Sequence, residues 1–473
     1  EQLGHMALQS IENWLLRKDI ERLETLRENL ASHKDKATPP EGNATFVFTD
    51  IQGSTALWEE NAHVMREAHD LHDTIIRRVC SENHGYEMHT EGDSFHLVFH
   101  DPVDALSFAL EAQNALFEAP WSPALLKMSN ARDDGAAFRG LRVRMGVHQG
   151  DVEKSRNEVT GRTMYTGDTV GIAKSIENIA HGGQIIVSSS TWNVAEFFSG
   201  TSLKQPQVLD LGTHVILKGE ATHEGVISQR LIQLVPSHLS YDYFSARSRQ
   251  EDPELEIPEE EGPSVMVGPT PNGRQFHPLK TLKCTSASFH DAPFVNHEVT
   301  IAFVNMSAIE NHVQDSCGPI ITSIVQLIGT CLDGCDYGYH CQNDMLAFHT
   351  PSEAIIFGLR FMDVLKKRDF LEDGTDLSRL IKYGCVRDKF LTMGPHKTTG
   401  RADYFGKVVN RAARITNVGE LGSVSYGVVS KEPVQRLDRR ICATFSGMRA
   451  LKGVQDEMAV YDCTLKARLV DYD

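Results

Sequence analysis

The chain has 473 residues, enough for two or three domains, with 41% hydrophobic and 23% charged side chains, the balance of a soluble globular protein. Its net charge of −17 argues against a broad nucleic-acid surface, which needs clustered Lys and Arg, but leaves room for a local cationic pocket. No apolar run approaches the roughly 20 residues of a membrane span; Ile320 to Leu332 comes nearest and is interrupted by Thr322, Ser323 and Gln326.

No secretory signal opens the sequence, and the missing initial Met reads as a fragment of a longer chain, expected in the cytoplasm. Nine cysteines in this length do not form a disulfide scaffold. Cys331, Cys335 and Cys341 cluster loosely, without the paired C-x-x-C that a zinc site favours, and read as buried thiols.

Residues 6–32 place Leu15, Leu16, Ile20, Leu23, Leu26 and Leu30 at helical steps. They form either a helix packed on its own domain or a short coiled coil open to a further partner or oligomer. Thr38-Pro-Pro-Glu-Gly42 ends that helix. Residues 43–51 read as a buried strand that ends on Asp50, followed by an amphipathic helix at 56–82. A hairpin of Tyr86–Thr90 and Ser94–His100 turns on Glu91-Gly92-Asp93. A helix is predicted at 101–117, a polar irregular insertion at 118–140, and a strand at Leu141–Gln149. A turn at 161–167 then leads to a helix at 168–180 and a strand at 184–188. This order suits an antiparallel-rich sheet backed by helices, an α+β fold.

The second half repeats the first. Thr300-Ile-Ala-Phe-Val-Asn-Met306 matches Thr45–Ile51, Tyr337–Asp344 matches Tyr86–Asp93, and Ile381–Gly384 matches Val143–Gly146. Tyr404-Phe-Gly406 matches Tyr165-Thr-Gly167, and Leu451-Lys-Gly453 matches Leu217-Lys-Gly219. Matches in the same order imply a duplicated domain. The chain thus divides into a helical N-terminus (1–42), domain 1 (43–235), an acidic Pro-rich linker (236–296), domain 2 (297–465) and a tail (466–473).

Each copy carries different chemistry. In copy two, Asn410 and Arg414 lie four residues apart on one helix face, with Asp403 in the approach to that helix. An acid that accepts from an exocyclic amine, an amide for a hydroxyl and a guanidinium for phosphate make a nucleotide kit without a metal site. In copy one, Asp50 ends a strand and Asp93 sits on the neighbouring hairpin turn, where two carboxylates can share hard cations such as magnesium.

Phe48-Thr-Asp-Ile-Gln-Gly-Ser-Thr-Ala-Leu-Trp-Glu59, Glu91-Gly-Asp-Ser-Phe95 and Gly140-Leu-Arg-Val-Arg-Met-Gly-Val-His148 resemble a class III nucleotidyl cyclase, most of all the fungal and kinetoplastid adenylyl cyclases. Copy two resembles the same family through Tyr404-Phe-Gly-Lys-Val-Val-Asn-Arg-Ala-Ala-Arg414. The resemblance implies ferredoxin-like βαββαβ domains packed as an intramolecular pseudo-heterodimer, with the active site between them. It implies that Asp50, Asp93 and the Ile51 carbonyl hold two Mg2+ or Mn2+ ions and that Arg144 binds phosphate. Asp403 and His340 would read the base, Asn410 the ribose, and Arg414 would steady charge on the α-phosphate. Lys452 would reach the triphosphate.

The losses are complementary. Met164, Gly171 and Ser175 of copy one stand where Asp403, Asn410 and Arg414 stand in copy two. Copy two has Asn305 for the first metal Asp and Lys382 for the phosphate Arg, and keeps Asp344. The resemblance therefore implies an adenylyl cyclase turning ATP into cyclic AMP at one composite site. The rival reading is a weak or inactive cyclase-like pair that senses nucleotide, because His340 replaces the family's adenine-reading Lys and Val454 replaces a triphosphate Lys. Guanylyl cyclase fits poorly, since Cys341 is one position out of register with its base readers.

Overall fold

The computed structural model describes residues 38–135, 137–156, 163–217, 226–241, 273–284, 287–293, 297–313, 317–333, 338–342, 344–368, 371, 374–429, 437–451 and 457–466. The expected N-terminal helix at 6–32, Cys335, Lys452 and Val454 lie outside the described residues. Among the described residues no helix is long and apolar enough to cross a membrane.

The first unit opens with β1 (Asn43–Ile51), α1 (Ser54–Glu60), α2 (Ala62–Glu82), β2 (Tyr86–Glu91), β3 (Ser94–Phe99), α3 (Pro102–Glu118) and β4 (Val143–Asp151). The hairpin β5 (Glu153–Arg156) and β6 (Thr163–Thr166) follows, then α4 (Asp168–Ile179), β7 (Ile185–Ser188), α5 (Ser189–Ala195), β8 (Gln207–Leu217) and β9 (Val226–Val235). The sheet runs β2-β3-β1-β4-β7-β9-β8, and its first four strands have the ferredoxin-like arrangement. β1 is antiparallel to both β3 and β4, whereas β4 and β7 are parallel.

Strand alternation sorts the side chains. Val47 and Ile51 of β1, with Val143, Met145 and Val147 of β4, enter the large core made with Ile75, Ile76, Leu106 and Ala109 of α2 and α3. Phe46 and Phe48 face the other way and pack with Ala173 of α4. Asp50 and Arg144 share the parity of that second face, and this places the polar chemistry under α4.

Local deviations have physical causes. The single helix expected at 56–82 breaks at Asn61, whose backbone is extended (φ −159°) and whose side chain accepts from Val64 N at 3.2 Å, capping α2. The stretch 118–140 is irregular as expected, yet Trp121, Leu125, Met128 and Ala131 are buried in the core. β8 and β9, not anticipated, complete the sheet edge. Residues 273–282 belong to the first unit, which extends it past the 235 boundary read from sequence. Arg274 is 4% exposed and donates to Ala137 O, Gly183 O and Gln113 Oε1 at 2.9, 2.9 and 2.6 Å.

The second unit holds β10 (Glu298–Asn305), α6 (Ser307–Val313), α7 (Cys317–Asp333), β11 (Gly338–Gln342), β12 (Met345–Phe348), α8 (Pro351–Lys366) and β13 (Lys382–Lys389). The hairpin β14 (Thr392–Pro395) and β15 (Ala402–Phe405) leads to α9 (Lys407–Val418), β16 (Val424–Val429), β17 (Ile441–Arg449) and β18 (Met458–Leu465). Its sheet order, β11-β12-β10-β13-β16-β18-β17, repeats the first sheet strand for strand. The duplication is thus a repeat of topology as well as of motifs. Cys331 and Cys341 carry free thiols. Burial pushes the Cys341 thiol far above its ordinary value.

Candidate active site

In the first unit, Asp50 stands opposite Arg144 in the β1–β4 register. Arg144 Nε and Nη2 donate to Asp50 Oδ2 at 3.0 and 2.5 Å. Asp93 follows Gly92 in the β2–β3 turn; with Thr49 of β1 paired to Phe95 of β3, that turn meets the end of β1. Asp93 Oδ2 is buried and has no hydrogen-bond partner. An orphaned carboxylate oxygen on the turn that meets the strand carrying Asp50 suits a hard cation, so these residues are compatible with the divalent metal that the resemblance implied. Among the described residues, no group of three or more His, Cys, Asp or Glu gathers as a metal cluster, so any cation here would take further oxygens from backbone, substrate or water.

α4 lies over this site because Gly146 of β4 lets it in. A Cβ there would meet Glu177 N at 2.2 Å. The corner into the helix is Gly167, at φ 120°, a conformation that favours glycine. Glu177 is fully buried on α4, with Oε1 2.7 Å from Arg144 Nε and Oε2 3.1 Å from Lys174 Nζ. Burial pushes its carboxyl up, against the opposing pull of Lys174 and Arg144.

In the second unit, β11 and β15 bring the expected base readers together. Tyr339 and Cys341 are buried, while His340 and Gln342 alternate onto the half-buried face. Ala402 N donates to Tyr339 Oη at 3.0 Å, pinning β15 beside β11. Gln342 hydrogen-bonds the Asp403 carboxylate, and burial pushes that carboxyl above its ordinary value. Arg401 Nη1 lies 3.0 Å from His340 Nδ1. Because a guanidinium only donates, Nδ1 accepts, and the ring proton of the neutral imidazole sits on Nε2. β15 then turns through Gly406 (φ 141°) into α9. Asn410 and Arg414 are exposed on one face of α9, and neither pairs with a described residue. Arg411, on the buried side, pairs with Asp388.

Residues 37–225 match the model of the adenylate and guanylate cyclase catalytic domain. Residues 37–225 carry a class III nucleotidyl cyclase catalytic domain. An adenylate cyclase of Neurospora crassa is 38% identical over 169 residues, covering 35% of this chain and 7% of that protein. One of Lachancea kluyveri is 37% identical over 180 residues, covering 34% of this chain and 10% of its own length. The chain therefore spans a tenth or less of the length of these curated relatives. A solved structure of an adenylate cyclase from Trypanosoma brucei in its monomeric state shares 26% identity, covering 43% of this chain and 94% of its own, with a TM-score of 0.37.

The two cyclase-like copies differ at matching places. Asn305 and Lys382 occupy the register of Asp50 and Arg144. Thr416 takes the place of Glu177 and packs over Gly384, as Glu177 does over Gly146. Asn305 Nδ2 and Lys382 Nζ donate instead to Asn417, at its Oδ1 (2.7 Å) and its carbonyl (2.9 Å). Asp344 remains, with its carboxyl pushed up by burial. Sequence reading missed Glu177 and Gln342. Glu177 had a signal: on the Ala173–Ile176 face of an amphipathic helix, a Glu at an inward position needs a cation.

Proposed function

We propose that the chain converts ATP to cyclic AMP and pyrophosphate, with the metal half from the first unit and the nucleotide half from the second acting on one nucleotide. Asp50, Asp93 and the Ile51 carbonyl would hold the divalent cations. Bound there, magnesium or manganese would acidify the ribose 3′-hydroxyl and offset phosphate charge. Arg144 binds phosphate. Asp403 accepts from the adenine amine and His340 donates to a ring nitrogen. Asn410 orients the ribose for in-line attack by the 3′-oxygen on the α-phosphate, and Arg414 stabilises the charge that develops there.

The observation that carries this reading is the division of residues. The unit with Asp50, Asp93 and Arg144 has Met164, Gly171 and Ser175 in place of the nucleotide kit, whereas the unit with Asp403, Asn410 and Arg414 has Asn305 and Lys382. Adenine is favoured over guanine because Asp403, an acceptor, suits an exocyclic amine and repels a carbonyl oxygen. Purified protein with Mn2+ and either ATP or GTP tests the reading. Cyclic AMP from ATP, with little cyclic GMP from GTP, is expected. Nucleotide binding without cyclic product would favour the sensor reading instead.

A further inference from the structure

Glu177 has no part in the chemistry so far, yet it is a buried carboxylate in contact with Arg144. Its carboxylate is fully buried on α4. Oε1 is 2.7 Å from Arg144 Nε but accepts no hydrogen bond, because that N–H points at Asp50 Oδ2. A buried acceptor left without a donor is unfavourable unless another state supplies one. One guanidinium thus stands between two carboxylates and satisfies Asp50 at the expense of Glu177.

The second copy is an internal control. Where Asp50 is replaced by Asn305 and Arg144 by Lys382, Glu177 is replaced by Thr416. Thr416 bonds locally, to Ala412 O at 2.8 Å and Gly384 O at 3.3 Å. The buried acid is present in the copy with the Asp–Arg pair and absent from the copy without it, although the helix packs the same way in both.

We propose that Glu177 is a positioning residue that takes over Arg144 when Asp50 turns its carboxylate to a cation. With Glu177 in place, the guanidinium leaves Asp50 by a small rotation and stays in a charge-paired, phosphate-facing position. Without it, Asp50 is the only carboxylate left to Arg144, whose remaining contact is a long one to Asn178 O at 3.5 Å, and the guanidinium competes with the cation. Lys174, 3.1 Å from Oε2, neutralises the other edge of the same carboxylate. The inference rests on the proposed role of Asp50 and Asp93 as cation ligands, and its test separates the two.

The test is Mn2+ binding to the nucleotide-free protein, followed by the electron paramagnetic resonance of free Mn2+, with kcat and KM for ATP measured alongside. Asp50→Ala and Asp93→Ala are expected to abolish the site; binding that survives both overturns the cation reading itself. Glu177→Gln is expected to weaken Mn2+ binding about tenfold, because Arg144 then stays on Asp50. In an Arg144→Met background, the same Glu177 substitution is expected to change nothing, since the competitor is gone. Glu177→Thr, the residue tolerated at Thr416, is expected to behave like Glu177→Gln and covers a failure of the Gln variant to fold. Unchanged Mn2+ affinity in folded Glu177 variants, or equal weakening with and without Arg144, would overturn the inference and leave a structural role only.

Discussion

Asp50 lies directly opposite Arg144 in the β1–β4 pairing and takes two hydrogen bonds from its guanidinium, at 3.0 and 2.5 Å. The same register in the other copy holds Asn305 and Lys382, which turn to Asn417 instead. An acid and a strong base have become an amide and an amine together. An amide is a poorer ligand for a hard cation than a carboxylate, and an amine lacks the bidentate fork of a guanidinium, so on the proposed reading the second unit keeps the fold without the metal half.

From this division, Asn305→Ala and Lys382→Ala should leave the rate of cyclic AMP formation and its Mn2+ dependence unchanged, while Asp50→Ala should abolish it. Steady-state rates over a Mn2+ titration check this. A large loss in the Asn305 or Lys382 variants would mean that the second unit's metal end takes part in turnover.

Arg414 is exposed, on the same face of α9 as Asn410, and pairs with no described residue. A guanidinium held for the transition state acts on kcat more than on KM. Arg414→Ala should lower kcat by about 10²–10³-fold, the scale of removing one preorganised donor, with a small change in KM. Steady-state kinetics read both parameters.

In the proposed site, Asp403 reads the base as a carboxylate. Burial raises its pKa, and His396 and the bond from Gln342 only partly oppose that. A raised carboxyl takes up its proton at a higher pH than an ordinary aspartate, and the neutral acid is a poorer acceptor for the adenine amine. The KM for ATP should therefore rise on acidification, starting above the usual aspartate range. In Asp403→Asn this acid limb should vanish and discrimination between ATP and GTP should weaken. A KM–pH profile of both proteins tests it.

His148 on β4 is buried, with Nδ1 2.8 Å from Ser188 Oγ. Burial lowers its pKa from 6.5 to about 4. The unfolded chain takes up a proton near 6.5 while the folded chain resists until about 4, so stability is lost as the pH falls between those values and is flat above them. The full loss from this group is about 3 kcal/mol. His96, also lowered to about 4 by burial, acts in the same direction. Chemical denaturation from pH 7.5 down to pH 4.5 should show a shallower decline for His148→Gln than for the parent chain.

Much of this was legible in the sequence where a short motif fixes its own surroundings. Strand β1 with its terminal Asp50, the Gly92-Asp93 turn and the Gly406-to-α9 corner combine a period-two or helical pattern with turn glycines. What stayed hidden depends on distant partners. Trp121 and Leu125 sit in a stretch with no regular period and are buried in the core that α2 and α3 help to build. Arg274 lies next to an acidic, Pro-rich stretch and gives no local sign that its guanidinium is caged by Ala137, Gln113 and Gly183. Gln342 looked like an ordinary strand residue until β15 brought Asp403 beside it. The break at Asn61 was visible in principle, as an Asn followed by a new amphipathic run.

The claim that one nucleotide is handled by the metal end of the first unit and the nucleotide end of the second is tested most directly by cyclic AMP formation from Mn2+ and ATP in three variants of the whole chain: Asp93→Ala, Arg414→Ala and Asp344→Ala. The account predicts loss of product with Asp93→Ala and with Arg414→Ala, and retention with Asp344→Ala. Full activity in either of the first two variants, or its loss only in the third, would contradict it.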